Sequence, residues 1–250
     1  MDVAEHVDFL ANEGELLASA ASGVDPDTPV GTVPDWSLRD LVHHLGGIHR
    51  WATTTIRDAR TTRYDTTLLE VVGAWPADDE MVAWFRAGHA TLVQTLRDAD
   101  PELQCWSFFA APTPLAFWAR RQTHETAIHR ADAQSCSGPV TPYAPALAAD
   151  GVDEILTGFA ARRGEYPSPP PRMRLRAPDT GREWLAQLGP ERTTLLDPDE
   201  RATPDVAVEA PASDLYQLLW NRVPADAVSV EGDPATLAVW RDAVRVRWSE

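Results

Sequence analysis

The stretch Arg120–Asp132 reads RRQTHETAIHRAD, and it decides the fold and the chemistry together. Within it, Glu125 and His129 are four residues apart, which is about one turn of an α-helix. Their side chains therefore leave the same helix face. A carboxylate and an imidazole at this spacing are two ligands for a divalent metal ion. The stretch predicts a helix of a bundle that carries part of a metal site.

A second stretch, DLVHHLGGIHRW at residues 40–51, offers the third ligand, with His43, His44 and His49 as candidates. His44 lies beside the apolar stripe of this predicted helix, whereas His43 is about 100° away on another face. His44 and His49 are five residues apart, so only one of them is expected to face the interior with Glu125. We prefer His44. One such imidazole would complete a three-ligand site with an open position, as in catalytic zinc centres.

Two further readings of these residues bear on the site. His124-Glu125 resembles the start of the H-E-x-x-H motif, but His129 is five residues after His124, and this spacing excludes the metalloprotease arrangement. Asp40 and Asp132 could each orient an imidazole from outside the ligand set. An ordinary helix-surface Glu/His pair stays open as the alternative to a metal site.

The hydrophobic pattern divides the chain into two predicted domains, residues 1–140 and 141–250. The first is predicted to be a four-helix bundle, with helices at about 2–22, 37–60, 78–98 and 115–134. The second is predicted to be a smaller mixed α/β domain after a stiff proline-rich spacer at 166–171. Its predicted helices lie at about 146–162, 211–222 and 234–243, and its predicted strands at 172–177 and 205–210.

Composition excludes several classes of function. The net charge of −16 argues against a nucleic-acid or anionic-membrane surface. The sequence contains no lysine, which excludes a lysine Schiff base. The two cysteines, Cys105 and Cys136, do not form a C-x-x-C pair, and the first residues show no signal peptide. No stretch approaches the roughly 20 apolar residues that span a bilayer. We expect a soluble, cytoplasmic protein.

Three parts of the sequence together resemble the mycothiol-dependent maleylpyruvate isomerase family, whose N-terminal bundle is related to the DinB-like metalloproteins. The first is VPDWSLRDLVHHLG at 33–46, followed by HRW at 49–51. The second is FWARRQTHETAIHRAD at 117–132. The third is LAADGVDEIL at 147–156, continued by LYQLLWNR at 215–222 and VEGD at 230–233.

The resemblance implies a site and a chemistry. The metal triad of the family falls on His44, Glu125 and His129, the metal is expected to be zinc, and the co-substrate is expected to be mycothiol. The basic residue that the family's second domain supplies to the cleft is expected to be Arg222; the alternative is a surface arginine at a helix end. A zinc-activated thiolate would add to an electron-poor double bond, and bond rotation followed by loss of the thiol would give the trans isomer.

Several functional alternatives remain from sequence. The thiolate could instead displace a leaving group, which would make the protein an S-transferase. A metal-dependent hydrolase would need no thiol. A non-catalytic bundle would hold a structural metal or bind a ligand. In each case we expect a small-molecule partner, no nucleic acid, no membrane, and a monomer or homodimer.

Overall fold

The computed structural model describes residues 1–63, 67–159, 168–189, 193–198 and 203–243. The chain divides into two compact units between Thr141 and Pro142. The first unit is helical and the second combines helices with a β-sheet. The predicted fold class, a helical bundle followed by a smaller α/β domain, is therefore confirmed.

Four long helices and one short helix make up the first unit. They are α1 (Val3–Ala21), α2 (Leu38–Arg57), α3 (Leu68–Val72), α4 (Met81–Asp98) and α5 (Pro114–Ser135). The four long helices match the sequence prediction, although α2 ends at Arg57 rather than near residue 60. The short helix α3 was not predicted. It has five residues and no buried side chain, so no hydrophobic period marks it.

Side-chain caps fix where the helices that carry the site begin. The Ser37 side chain accepts a hydrogen bond from the Asp40 backbone N–H, and the Asp40 carboxylate accepts one from the Ser37 backbone N–H, which makes a capping box on α2. Thr113 caps α5, and Pro114 occupies its first turn, where a missing N–H costs nothing. These caps fix the first residues of α2 and α5, the two helices that carry the predicted ligands.

The long helices of the bundle pack against one another: α1 and α2 each contact both α4 and α5, and α4 also contacts α5. Aliphatic and aromatic side chains fill the core, among them Leu10, Leu41, Phe85, Leu92 and Trp118. Helix α5 is buried on nearly all sides although its sequence is rich in charge. Buried charges require partners, so the polar groups of α5 determine much of the interior chemistry of the bundle.

The second unit contains a five-stranded sheet. The central strands β1 (Arg172–Ala177) and β4 (Val206–Glu209) are parallel, and the other neighbouring pairs are antiparallel. Helices α6 (Pro145–Glu154, continued by a π-helix at Ile155–Phe159), α7 (Ala212–Leu219) and α8 (Ala235–Ala243) complete it, with a 3₁₀ turn at Ala225–Ala227. The remaining strands are β2 (Arg182–Leu188), β3 (Thr193–Leu196) and β5 (Ser229–Gly232). The order of the strands in the sheet is β3-β2-β1-β4-β5.

Strands β1 and β4 confirm the two strands predicted from alternation, whereas β2, β3 and β5 were not predicted. The helices α7 and α8 were also predicted, and residues 160–162 of the first predicted helix of this domain lie outside the described residues. Residues 166 and 167 of the proline-rich spacer lie outside them too. None of the helices in the described part of the chain has both the length and the apolar composition needed to span a bilayer.

Candidate metal centre

Helices α2 and α5 bring His44, Glu125 and His129 together inside the bundle. The Oε1 atom of Glu125 lies 3.4 Å from His44 Nε2 and 3.5 Å from His129 Nε2. The three possible ligand atoms all lie within 4.8 Å of one another, and all three residues are buried. Two nitrogens and one oxygen therefore converge on one point in the interior.

The donor set and its spacing fit a zinc ion. Zinc binds histidine nitrogen and carboxylate oxygen at about 2.0–2.2 Å in a tetrahedron, which places neighbouring ligand atoms about 3.4 Å apart. The two measured separations from Glu125 Oε1, 3.4 and 3.5 Å, correspond to such tetrahedral edges. An ion held by these three residues would keep a fourth position for a small molecule, as in catalytic zinc sites.

Asp132 fixes the orientation of the His129 ring. Its Oδ2 atom lies 2.9 Å from His129 Nδ1, and its Oδ1 atom accepts a hydrogen bond of 2.5 Å from the Thr32 hydroxyl. With Nδ1 as the donor to this carboxylate, the lone pair of neutral His129 lies on Nε2, the atom nearest Glu125. A carboxylate behind a histidine is the usual support of a metal-bound imidazole. Asp132 thus occupies the supporting position that the sequence predicted for it.

Arg121 supports Glu125 from one helical turn earlier. Its Nη2 donates to Glu125 Oε2 at 2.8 Å, and only 3% of the Arg121 side chain is exposed. One oxygen of Glu125 is therefore engaged by the guanidinium, while the other oxygen lies near both imidazoles. Arg121 was not among the predicted site residues, although its four-residue spacing from Glu125 indicates that the two side chains lie on the same helix face.

The environment shifts the pKa of each member of the triad. Burial alone would raise the pKa of the Glu125 carboxyl, but hydrogen bonds with His129 and His44 and the charge of Arg121 lower it well below its usual range. Burial lowers the pKa of His44 despite its hydrogen bond with Glu125. Burial would also lower the pKa of His129, yet its hydrogen bonds with Asp132 and Glu125 raise it. Glu125 is thus held as the anion that metal binding requires.

Trp36 forms an aromatic wall beside the two histidines. Its ring centroid lies 4.9 Å from that of His44, and it stacks on His129 at 6.0 Å with an interplanar angle of 22°. The loop before α2 positions it, because Asp35 has a φ of +69° and the Trp36 carbonyl accepts a 2.8 Å hydrogen bond from the Val30 N–H. Trp36 was not among the predicted site residues.

The other histidine candidates on α2 contact different partners. His43 stacks on Trp75 with centroids 4.8 Å apart and an interplanar angle of 5°. His49 is buried, and its Nε2 lies 2.9 Å from the Thr126 hydroxyl. Asp40, predicted as a possible support for an imidazole, instead uses its carboxylate in the capping box of α2.

Arg222 lies in the second unit, just beyond the end of α7. Asn221 has a φ of +60°, and the backbone N–H groups of Asn221 and Arg222 donate to Leu218 and Gln217. These are the two hydrogen bonds of a Schellman motif, which ends α7 and fixes the backbone direction at Arg222. The Arg222 Nη1 donates to the Trp220 carbonyl at 2.8 Å. The structure thus gives the local conformation of this residue, while its role stays a prediction.

Two of the solved structures that resemble this chain are maleylpyruvate isomerases, and both match over most of its length. One is a mycothiol-dependent maleylpyruvate isomerase, with a TM-score of 0.67 and 14% sequence identity, covering 92% of this chain and 93% of that chain. The other is a histidine-to-alanine mutant of a mycothiol-dependent maleylpyruvate isomerase, with a TM-score of 0.67, 13% identity and the same coverage. At this identity the likeness establishes a shared fold. No curated protein sequence matches the chain.

Comparison with protein families identifies both parts of the chain. Residues 9–134 match the mycothiol maleylpyruvate isomerase N-terminal domain. Residues 146–238 match the C-terminal domain of the same family. The two matches cover most of the 250 residues. The chain therefore belongs to the mycothiol maleylpyruvate isomerase family.

Proposed function

We propose that this protein is a zinc-dependent enzyme that uses mycothiol as its thiol co-substrate. His44, Glu125 and His129 are the proposed metal ligands. The observation that carries the proposal is the convergence of two imidazole nitrogens on Glu125 Oε1, at 3.4 and 3.5 Å, inside the bundle. Family membership supports the thiol chemistry, because both domain types characteristic of that family occur in this chain.

A zinc ion bound there would lower the pKa of a coordinated thiol and so favour the nucleophilic thiolate near neutral pH. The chain supplies the conditions for this chemistry. Glu125 contributes one negative charge, Arg121 occupies its second oxygen, and Asp132 holds the His129 ring. Burial keeps bulk water away from these groups and strengthens their electrostatic interactions.

Arg222 is the proposed contact for an anionic substrate. A maleylpyruvate-like substrate carries carboxylates, and an acidic protein needs local positive charge to bind it. The guanidinium group binds a carboxylate in two-pronged geometry. Substitution by glutamine is expected to raise KM for an anionic substrate more than tenfold. The matched control is Arg182→Gln, which removes an exposed arginine of the same unit that pairs with Asp153.

We favour cis–trans isomerisation of a small unsaturated acid, with transfer of the thiol to an electrophile as the second reaction of the same site. The test is an absorbance assay with maleylpyruvate as substrate, performed with zinc-loaded protein in the presence and absence of mycothiol. The proposal requires turnover that depends on mycothiol and is lost in a Glu125→Ala variant. A parallel assay with an alkyl halide acceptor measures S-transfer.

The remaining alternatives give different results in the same assays. Turnover of an ester or amide by the zinc-loaded protein without any thiol would indicate a hydrolase and contradict the proposal. Stoichiometric metal without turnover in any assay and without mycothiol binding would indicate a non-catalytic bundle. Equilibrium binding of mycothiol, measured by calorimetry, separates these outcomes from a wrong choice of substrate.

A further inference from the structure

A cavity lies in the helical unit, bordered by α2, α3 and α4. Its volume is about 300 Å³. Two arginines and three threonines give it a polar lining, and a glycine of α4 forms part of its wall: Arg50, Arg57, Thr53, Thr54, Thr91 and Gly88. Among the residues that the structure describes, no acidic side chain lines it. In a chain with a net charge of −16, a cavity lined by two cations favours a ligand of opposite charge.

Arg50 is the central cation of this cavity. Its Nη1 donates to the Gly46 carbonyl at 3.0 Å and its Nη2 to the Trp84 carbonyl at 2.8 Å. The guanidinium carbon lies 3.8 Å from the centroid of the Trp84 ring. Within the described part of the chain, no carboxylate forms an ion pair with Arg50. A guanidinium has five N–H donors, so these two hydrogen bonds leave donors for a ligand.

The wall of the cavity is shaped to hold this guanidinium. A Cβ atom added at Gly88 would overlap Arg50 Nη1, so a larger residue at this position of α4 would push the guanidinium out of its present place. Burial lowers the pKa of Arg50, which indicates that its charge is partly removed from water without compensation by a carboxylate. The cation is thus held in place and partly desolvated before any ligand arrives.

The second arginine lies two helical turns further along α2. The Arg57 Nε donates to Asp58 at 2.9 Å, and 64% of the Arg57 side chain is exposed. The threonine hydroxyls donate to carbonyls of their own helices, for example Thr91 to Ala87 at 2.8 Å. Their oxygens can still accept hydrogen bonds, so hydroxyl groups beside an anionic group would fit this lining.

The cavity and the metal triad lie on different faces of α2. At about 100° per residue, Arg50 and Arg57 lie roughly 120–140° around the helix from His44. Its other walls come from α3 and α4, whereas Glu125 and His129 lie on α5. A ligand in this cavity would therefore be additional to the substrates of the proposed enzyme.

We propose that this cavity binds the carboxylate or phosphate group of a small polar ligand between Arg50 and Arg57. Both groups present two oxygens that the guanidinium fork can bind through two parallel hydrogen bonds. The anion would supply the counter-charge that Arg50 lacks, and Arg57 would close the site from its exposed side.

The test is calorimetric titration of the zinc-loaded protein with inorganic phosphate and with succinate, at constant ionic strength, with neutral succinamide as a further probe. We expect saturable binding of at least one anion and none of succinamide. Arg57→Gln is expected to weaken that binding at least about tenfold, the effect of losing one charge-assisted contact. Gly88→Ala should weaken it similarly without changing the net charge, because it displaces Arg50.

Arg97→Gln is the matched control, since it removes an exposed arginine of α4 that pairs with Asp8 and lies outside the cavity. Anion binding at the metal would be the same in all of these variants, so the difference between Arg57→Gln and Arg97→Gln isolates the cavity. Tighter binding of phosphate assigns a phosphoryl ligand, and tighter binding of succinate a carboxylate. Equal affinities in the two arginine variants, or binding of succinamide, would overturn the proposal. Should Gly88→Ala not fold, Arg57→Gln alone decides.

Discussion

Arg121 Nη2 donates to Glu125 Oε2 at 2.8 Å, and the opposite oxygen of the same carboxylate lies near both His44 and His129. Arg121 lies one helical turn before Glu125, and His129 lies one turn after it. The two oxygens of a single carboxylate are given different partners. With Oε2 engaged by Arg121, Glu125 would bind a metal ion through Oε1 alone.

Arg121→Met is therefore expected to weaken zinc binding about 10- to 100-fold, the usual effect of removing a group that supports a ligand. The reason is that Glu125 Oε2 loses its partner and the carboxylate is free to rotate. Competition with a chromogenic chelator measures the affinity. Arg120→Met, one residue earlier on α5, is the matched substitution, and an equal loss in both variants would contradict the assigned role of Arg121.

Trp36 should report directly on metal binding. A paramagnetic ion such as Co²⁺ at the triad would quench a tryptophan whose ring lies 4.9 Å from that of His44. We expect titration with Co²⁺ to quench part of the tryptophan fluorescence of the wild type. Most of this quenching should be absent in Trp36→Phe. Trp184→Phe, in the second unit, is the control and should keep the quenching. Unchanged quenching in Trp36→Phe would place the ion elsewhere.

Arg130 should be among the most sensitive positions for stability. It is fully buried, and its Nε donates to Glu13 Oε2 at 2.8 Å. Arg130→Met leaves the Glu13 charge buried without this partner and is expected to lower the free energy of unfolding by about 3–5 kcal/mol. Urea denaturation measures this change.

The exposed pair Arg86–Glu15 gives the comparison for that experiment, because its side chains are 42% and 59% exposed. Arg86→Met is expected to cost no more than about 1 kcal/mol. Adding Glu13→Gln to Arg130→Met should restore part of the lost stability. Similar losses of stability for Arg130→Met and Arg86→Met would show that burial does not increase the contribution of the Arg130–Glu13 pair to the free energy of unfolding.

His49 should make the stability depend on pH. Burial, followed by the nearby His89, lowers its pKa well below the usual 6.5, so the folded protein keeps His49 neutral. The unfolded chain binds a proton below about pH 6.5, and the stability is therefore lost as the pH falls from this value towards the folded pKa. At pH 5 the loss from one such group approaches about 2 kcal/mol.

The check on His49 is the free energy of unfolding at pH 7.5 and at pH 5, in the wild type and in His49→Gln. The decrease between the two pH values should be smaller in the variant, whatever its absolute stability. A decrease as large as that of the wild type would mean that His49 is not the group that titrates.

The bundle and the three converging residues could be predicted from the sequence because both depend on local spacing. The turn between Glu125 and His129 and the apolar stripe beside His44 can be counted along the chain. The roles of Arg121 and Trp36 could not be obtained in this way. Which oxygen of Glu125 is occupied depends on side-chain geometry, and Trp36 reaches the histidines through a turn at Asp35 with a φ of +69°.

In the second unit, the strands without a regular alternation of buried and exposed residues could not be predicted from the sequence. The outer strand β5 has four residues, and none of its side chains is buried, so no alternation marks it. In β2, three successive residues from Trp184 to Ala186 are buried, which hides the period of two. The strands β1 and β4 alternate more regularly, and these were the strands that the sequence predicted.

The most direct test of the central claim is metal analysis by mass spectrometry of protein purified without added metal, beside a Glu125→Ala/His129→Ala double variant. The account predicts about one zinc per chain in the wild type and its loss in the variant, with both proteins folded by circular dichroism. Folded wild-type protein that holds no metal even after zinc is supplied would contradict it. So would a variant that keeps its zinc.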